Sequence, residues 1–188
     1  CGTVGVGVLK RLQELPSRFD VVAIAVSDLE KPRPAQVPIE LLFDNPEEAL
    51  EKPHDITIEV MGGLELPLGL IEKSLRASRH VITANKEVIA QYGTRLEALA
   101  EQAGTQLLYA AAVGGATPCI EAAVRLAAQE PLEAAVGVLN GTTNFVLDEM
   151  AAGRSFAAAV HAAQKAGFAE ADPTNDLNGA DVARKLAI

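Results

Sequence analysis

Asp55-Ile-Thr-Ile-Glu-Val-Met-Gly-Gly63 and, a helix later, His80-Val-Ile-Thr-Ala-Asn-Lys86 decide how the rest of the chain is read. Residues 55–60 form a short β-branched run, Gly62-Gly63 ends it, and helical spacing follows to about Ala77. A second short apolar run covers His80–Thr83, and Asn85 caps another helix that starts at Lys86. Strand, turn, helix and strand in about 30 residues is the βαβ unit of a parallel sheet.

The same alternation extends in both directions. Upstream, Asp20–Val26 (DVVAIAV) reads as a buried parallel strand, and residues 27–38, with Pro32, Pro34 and Pro38, as a loop. Asn45-Pro46-Glu47-Glu48 opens a helix: Asn caps, Pro takes the first turn and Glu48 completes a capping box. At the start, Val4, Val8, Leu12 and Leu15 form a one-sided helical stripe behind Gly2 and Gly5. Downstream, Thr94 with Glu97 restarts the helix after Gly93, Gly104 ends it, and Gln106–Ala112 is a strand. The fold class is α/β, a doubly wound parallel sheet over residues 1–130. From Leu132 the character changes to a longer strand, Leu132–Asn140, then helices over Thr142–Ala152 and Phe156–Ala166. A second domain is therefore expected over residues 131–188.

Composition narrows the function. The chain of 188 residues is 49% hydrophobic but only 4% aromatic, with no Trp, so its core is aliphatic and alanine-rich. A net charge of −9 argues against a nucleic-acid partner or an anionic membrane surface. Two cysteines, Cys1 and Cys119, give no disulfide framework and suit a reducing cytoplasm. Neither a signal peptide nor an apolar run of membrane-spanning length is visible. A glycine-rich turn follows Cys1 at once, and Ile188 stops inside a helical pattern, so the sequence is expected to be a piece of a longer chain. His54, His80 and His161 lack companions at zinc-ligand spacing. The absence of a G-x-S-x-G elbow and of a P-loop lysine argues against a hydrolase or a kinase.

Several stretches carry chemistry. Gly2 and Gly5 have the spacing of the last two glycines of G-x-G-x-x-G, which lets a pyrophosphate approach a helix N-terminus; close helix packing through glycine is the alternative. Ser27 ends the second strand, where ribose is read, with Asp28 beside it and Lys31 and Arg33 on the loop, a mixed signal. Thr83-Ala-Asn-Lys86 lies on the ligand-binding edge of an open sheet, and Lys86 opposes the macrodipole there, for a ligand or simply in solvent. Val113-Gly-Gly-Ala-Thr-Pro118 offers carbonyls to a cation, or a hinge. Asn140-Gly-Thr-Thr-Asn144 offers hydroxyl and backbone groups, or simple helix capping. Finally, residues 167–185 hold Glu170, Asp172, Asp176 and Asp181, and Asp181 shares a helical face with Lys185. That stretch suits a cationic small molecule beside a proton-transfer group, or an ordinary solvated ion pair.

Taken in order, Gly-Thr-Val-Gly (2–5), Glu-Val-Met-Gly-Gly (59–63), Thr-Ala-Asn-Lys (83–86), Val-Gly-Gly-Ala-Thr-Pro (113–118), Leu-Asn-Gly-Thr-Thr-Asn-Phe (139–145) and residues 167–185 resemble the homoserine dehydrogenase family. The resemblance covers essentially the whole chain. It implies a Rossmann-type NAD(P)-binding domain followed by part of an α+β substrate and dimerisation domain. It also implies interconversion of L-homoserine and L-aspartate 4-semialdehyde in threonine, methionine and isoleucine biosynthesis, by a full-length homodimer. By motif position, Cys1, Gly2, Thr3, Val4, Gly5, Ser27, Thr83 and Lys86 would face NADP or NAD, with Lys86 also against the substrate. Glu170 and Asp176 would bind the substrate ammonium, helped by Gly141 and Thr142. Lys185 would transfer the proton, oriented by Asp181. Carbonyls of Val113, Gly115 and Thr117 would face a monovalent cation. The chain departs from the family at Ser27, where Arg is frequent, at Ala110, where Glu is common, and at Asn175, where Asp is frequent. An aspartate-type amino-acid dehydrogenase and a non-catalytic NAD-binding regulator are the competing expectations.

Overall fold

The computed structural model describes residues 2–34 and 36–188. Cys1, expected at the cofactor turn, lies outside them. The chain divides into two compact units, the first ending at Ala112 and the second running from Val113 to Ile188. The division precedes the boundary near residue 130 expected from the sequence.

In the first unit Gly2 leads straight into α1 (Thr3–Gln13). β1 (Ile24–Ala25) pairs in parallel with β2 (Leu42–Phe43), Ile24 opposite Leu42. The strand expected over Asp20–Val26 is thus short, because its partner β2 is equally short and a strand persists only as far as its ladder. β2 carries no alternation long enough to mark it in sequence; the chain reaches it from Pro38 through a 3-10 turn at Ile39–Leu41. α2 (Pro46–Glu51) starts as its sequence dictates. Asn45 accepts from the Glu47 N–H at 3.0 Å and donates to Glu48 at 3.1 Å.

β3 (Ile56–Glu59), α3 (Glu65–Arg76), β4 (His80–Thr83), α4 (Lys86–Gln102) and β5 (Leu107–Leu108) follow. The three strands form a parallel sheet in the order β3-β4-β5, with Glu59 opposite Thr83. Leu70, Ile71 and Leu75 of α3, Val81 of β4, and Val88, Ile89 and Leu96 of α4 are buried. Each such side chain contributes roughly 1.5–3 kcal/mol. That explains why α4 runs unbroken through Gly93 instead of restarting at Thr94: the burial on either side outweighs the roughly 1 kcal/mol that a helical glycine costs. The strand expected over Gln106–Ala112 stops at Leu108, and Ala110–Ala112 coils into a 3-10 turn. An Ala-Ala-Ala run has little to pack on a pleated surface.

The second unit comprises α5 (Cys119–Ala127), α6 (Gly141–Ala151), α7 (Phe156–Lys165), α8 (Thr174–Leu177) and α9 (Ala180–Ala187). α5 was not foreseen, and none of its residues is buried. The strand expected over Leu132–Asn140 does not form: these residues have no regular secondary structure, and Val136 stands fully exposed at 101%. Their β-branched pattern is real, but among the described residues no strand lies beside it to complete a ladder. α6 and α7 pack through Val146, Ala159 and Ala163, with Phe145 stacked on Phe168 at 4.7 Å. Among the described residues no helix is long and apolar enough to cross a membrane.

Candidate active site

In the second unit the side chains converge on one asparagine. Asn140 caps α6, its Oδ1 accepting from the Thr143 N–H at 2.7 Å. Its Nδ2 donates to Asp176 Oδ1 and to Asp181 Oδ2, each at 2.8 Å. Asp181 Oδ2 lies 2.7 Å from Lys185 Nζ, and Lys185 also donates to the Leu139 carbonyl at 2.5 Å. The α8–α9 corner brings the two aspartates together. Gly179 sits at φ 82°, a left-handed conformation that glycine adopts at least cost, and it turns the chain from Asp176 towards Asp181. Two hydroxyls of α6 hold neighbouring segments: Thr143 donates to the Asp176 carbonyl in α8 at 2.9 Å, and Thr142 to the Phe168 carbonyl in the loop after α7 at 2.5 Å.

The expected residues Asp176, Asp181, Lys185, Gly141 and Thr142 therefore fall in or beside one network. Glu170 does not join it: it is exposed, and its backbone carbonyl accepts from Gln164 at 3.3 Å. Asp172 also stays outside. The Thr174 hydroxyl and then the Thr174 N–H hold its carboxyl below the usual range, and it serves the start of α8. Chemically, the arrangement holds one ammonium between a carboxylate and a carbonyl. A lysine carries three N–H donors, so these two bonds leave one for a substrate oxygen. Reading the sequence missed Asn140 as anything beyond a cap, and missed the Leu139 carbonyl. The only available signal was their place in one motif, Leu139 to Phe145.

A second network lies in the first unit. Glu59 is only 5% exposed at the end of β3, and the Thr83 hydroxyl donates to its Oε2 at 2.6 Å. Its Oε1 accepts from the N–H groups of Met61 at 2.8 Å and Gly62 at 3.4 Å. Thr83 Oγ1 accepts from the Asn85 N–H at 3.0 Å. Asn85 caps α4 through the N–H groups of Glu87 and Val88 and donates to the Gly63 carbonyl at 2.8 Å. The two turns at the sheet edge are thereby fastened together, with Lys86 as the first residue of α4. Sequence reading gave Glu59 no role.

Of the remaining expected residues, Gly2, Thr3, Val4, Gly5 and Ser27 belong to the same unit, whereas Val113, Gly115 and Thr117 belong to the second. α1 follows its N-cap Gly2 with no side-chain cap and no acid in its first turn. Asn45, Asn85, Asn140 and Ser155 cap α2, α4, α6 and α7, while α3, α5, α8 and α9 lack a side-chain cap but each carries an acid in the first turn. No side chain competes for the N–H groups of Thr3, Val4 and Gly5, which suits an anionic group. Ser27 is exposed just past β1. Of the two cations on its loop, Arg33 folds back onto the carbonyls of Asp28, Leu29 and Lys31, whereas Lys31 is exposed. Around Val113, Gly115 and Thr117, the Cys119 thiol donates to the Val113 carbonyl at 3.2 Å and the Cys119 N–H to the Thr117 carbonyl at 2.8 Å. Among the described residues no cluster of His, Cys, Asp and Glu forms a metal site.

Comparison with known proteins bears on both networks. The profile "Homoserine dehydrogenase, NAD binding domain" matches residues 1–110, and the profile "Homoserine dehydrogenase" matches residues 118–188. The chain is 40% identical to a homoserine dehydrogenase of Synechocystis, across 100% of this chain and 45% of that protein. The crystal structure of a homoserine dehydrogenase from Thiobacillus denitrificans is similar with a TM-score of 0.81 at 36% identity, covering 98% of this chain and 45% of that one. A hyperthermophilic archaeal homoserine dehydrogenase solved in complex with NADPH is similar with a TM-score of 0.64 at 27% identity, over 76% of this chain and 45% of its own. The chain thus spans about half the length of the relatives it matches.

Proposed function

Because the chain belongs to the homoserine dehydrogenase family, we propose that its full-length protein interconverts L-homoserine and L-aspartate 4-semialdehyde with NAD(P). This places it in the route to threonine, methionine and isoleucine. The observation that carries the reading is the lysine of α9, held by Asp181 and the Leu139 carbonyl with one N–H left over.

The nicotinamide cofactor, when bound, supplies or takes up the hydride. The rest is the work of the chain's own residues. In the reducing direction the Lys185 ammonium donates its remaining N–H to the oxygen that develops alkoxide character, stabilising and then protonating it. In the oxidising direction the neutral amine accepts the hydroxyl proton. Asp181 fixes the amine by an ion pair on one helical face. Asp176, with Glu170 from the neighbouring loop, binds the substrate ammonium, and the Gly141-Thr142 start of α6 borders it. Gly2, Thr3, Val4 and Gly5 hold cofactor phosphates at the uncapped start of α1, while Thr83 and Lys86 lie at the sheet edge where the nicotinamide would rest.

NADP is accepted at least as readily as NAD in this reading. Ser27 leaves room at the ribose, exposed Lys31 can meet a 2′-phosphate, and an archaeal relative was solved with NADPH. The full-length protein is a homodimer, for which the exposed apolar residues Val124, Leu126, Leu132 and Val136 provide surface. A monovalent cation at the carbonyls of Val113, Gly115 and Thr117 is part of this reading: two of them accept from Cys119, and each keeps a second lone pair for a cation, with no carboxylate from Ala110. The test is NAD(P)H absorbance with L-homoserine against a panel of other amino acids, using the full-length protein. Homoserine-dependent reduction is expected. Turnover of aspartate instead, or cofactor binding with no turnover, would overturn the reading.

A further inference from the structure

Asn140 makes three bonds that only an asparagine of this length can make together. One oxygen accepts from the Thr143 N–H, and one nitrogen donates separately to Asp176 and to Asp181. Both acceptors are carboxylates from the α8–α9 corner, and neither offers a proton to the other as an anion. Left without a donor between them, two neighbouring carboxylates repel, and the corner relaxes by moving them apart. Moving Asp181 would disturb Lys185, because the amine is held by Asp181 on one side and by the Leu139 carbonyl, one residue before Asn140, on the other, and the two would no longer share one position. Aspartate at position 140 keeps an acceptor for the cap but has no donor. Serine keeps the acceptor and has one proton on a shorter arm, so it cannot serve both carboxylates.

We propose that Asn140 is a positioning residue for the reaction: its side-chain amide holds the substrate-binding carboxylate Asp176 and the lysine-orienting carboxylate Asp181 at one spacing, apart from its role as a helix cap. The proposal rests on the reading of Lys185 as the proton-transfer group. Its content is that capping and positioning are separable. Serine and aspartate are both good caps, so variants carrying them retain α6 while losing the bridge.

The experiment uses the full-length protein with Asn140→Ser, Asn140→Asp, Asp181→Asn and the double variant Asn140→Ser/Asp181→Asn, together with Lys185→Ala. Thermal unfolding, NADPH affinity by fluorescence titration, and kcat and KM for homoserine are measured for each. Asn140→Ser should leave the unfolding midpoint within a few degrees and NADPH affinity within about twofold, while kcat falls about 10- to 100-fold and the homoserine KM rises. Asn140→Asp should lose more turnover than Asn140→Ser, although aspartate caps a helix as well as serine. In the Asp181→Asn background the charge to be held is gone, so Asn140→Ser should cost less than about threefold further. A residue that only caps α6 would show loss of activity in step with loss of stability and the same factor in both backgrounds. The proposal is overturned if Asn140→Ser turns over within twofold of the parent, or if its cost is undiminished beside Asp181→Asn. Normal turnover of Lys185→Ala would remove the underlying reading, and this inference with it. A dead Lys185→Ala beside an active Asn140→Ser removes the inference alone.

Discussion

Asn85 and Asn140 hold the same office in two different units. Each is 7% exposed, and each begins a helix by accepting backbone N–H groups on its side-chain oxygen. Their amide nitrogens differ. That of Asn85 donates to the Gly63 carbonyl, so it fastens one turn of the sheet edge to another. That of Asn140 donates to two carboxylates, one of which holds a lysine. The capping bond is worth about 1 kcal/mol in either place. What separates the two is the spare donor, which secures backbone in the first unit and charge in the second.

The contrast breaks most visibly at its charged end. Lys185→Ala in the full-length protein should lower turnover by roughly 10²- to 10⁴-fold, as for loss of a general acid/base, with NADPH affinity little changed. Near-normal turnover would take Lys185 out of the mechanism. Asn85→Ser is the counterpart of the serine variant at Asn140. It keeps a cap on α4 and gives up the bond to Gly63, at about 1 kcal/mol of stability by chemical denaturation. Turnover should stay within about threefold, and a loss matching that of Asn140→Ser would erase the distinction between the two asparagines.

The smallest effect lies outside both networks. Tyr109 donates to Glu97 at 2.6 Å, and its phenol is pushed up to about 12, first by that hydrogen bond, then by burial and then by the charge of Glu97. Because the folded value lies above the ordinary 10.0 of a tyrosine, this contribution to stability is complete below about pH 10 and fades as pH rises towards 12. Ultraviolet titration of Glu97→Gln should find Tyr109 ionising at lower pH, with turnover unchanged. An unmoved titration would show that Glu97 is not the cause.

Sequence patterning made the first unit legible because its signals are local. The β-branched runs at Ile56–Glu59 and His80–Thr83, and the caps at Asn45 and Asn85, all specify structure within a few residues. Misreadings came where distant partners decide. Gly93 stays helical because Val88 and Leu96 are buried around it, and the Leu132–Asn140 pattern makes no strand without a neighbour. The candidate site divides in the same way. Asp181 and Lys185 were readable as a pair because four residues separate them on one helix. Asn140 was readable only as a cap, since its carboxylate partners lie 36 and 41 residues further on. Glu59 is similar, reaching Thr83 across 24 residues through strand register that no local pattern announces.

The stretch between α5 and α6 has a consequence for proteolysis. Residues 131–138 are exposed, and among the described residues none of their amides donates to a backbone carbonyl. A protease can therefore engage this backbone without first opening a helix or a ladder. Brief digestion should cut here ahead of the helices, which mass spectrometry of the products would verify; a first cut inside α6 or α7 would contradict it. Every bond of the Asn140 cluster, from the Leu139 carbonyl to Lys185, lies on the C-terminal side of such a cut. The Gly2 turn, Thr83 and Lys86 lie on the N-terminal side. One nick would thus partition the chain by chemical task, the nucleotide-facing residues on one product and the proton-transfer residues on the other.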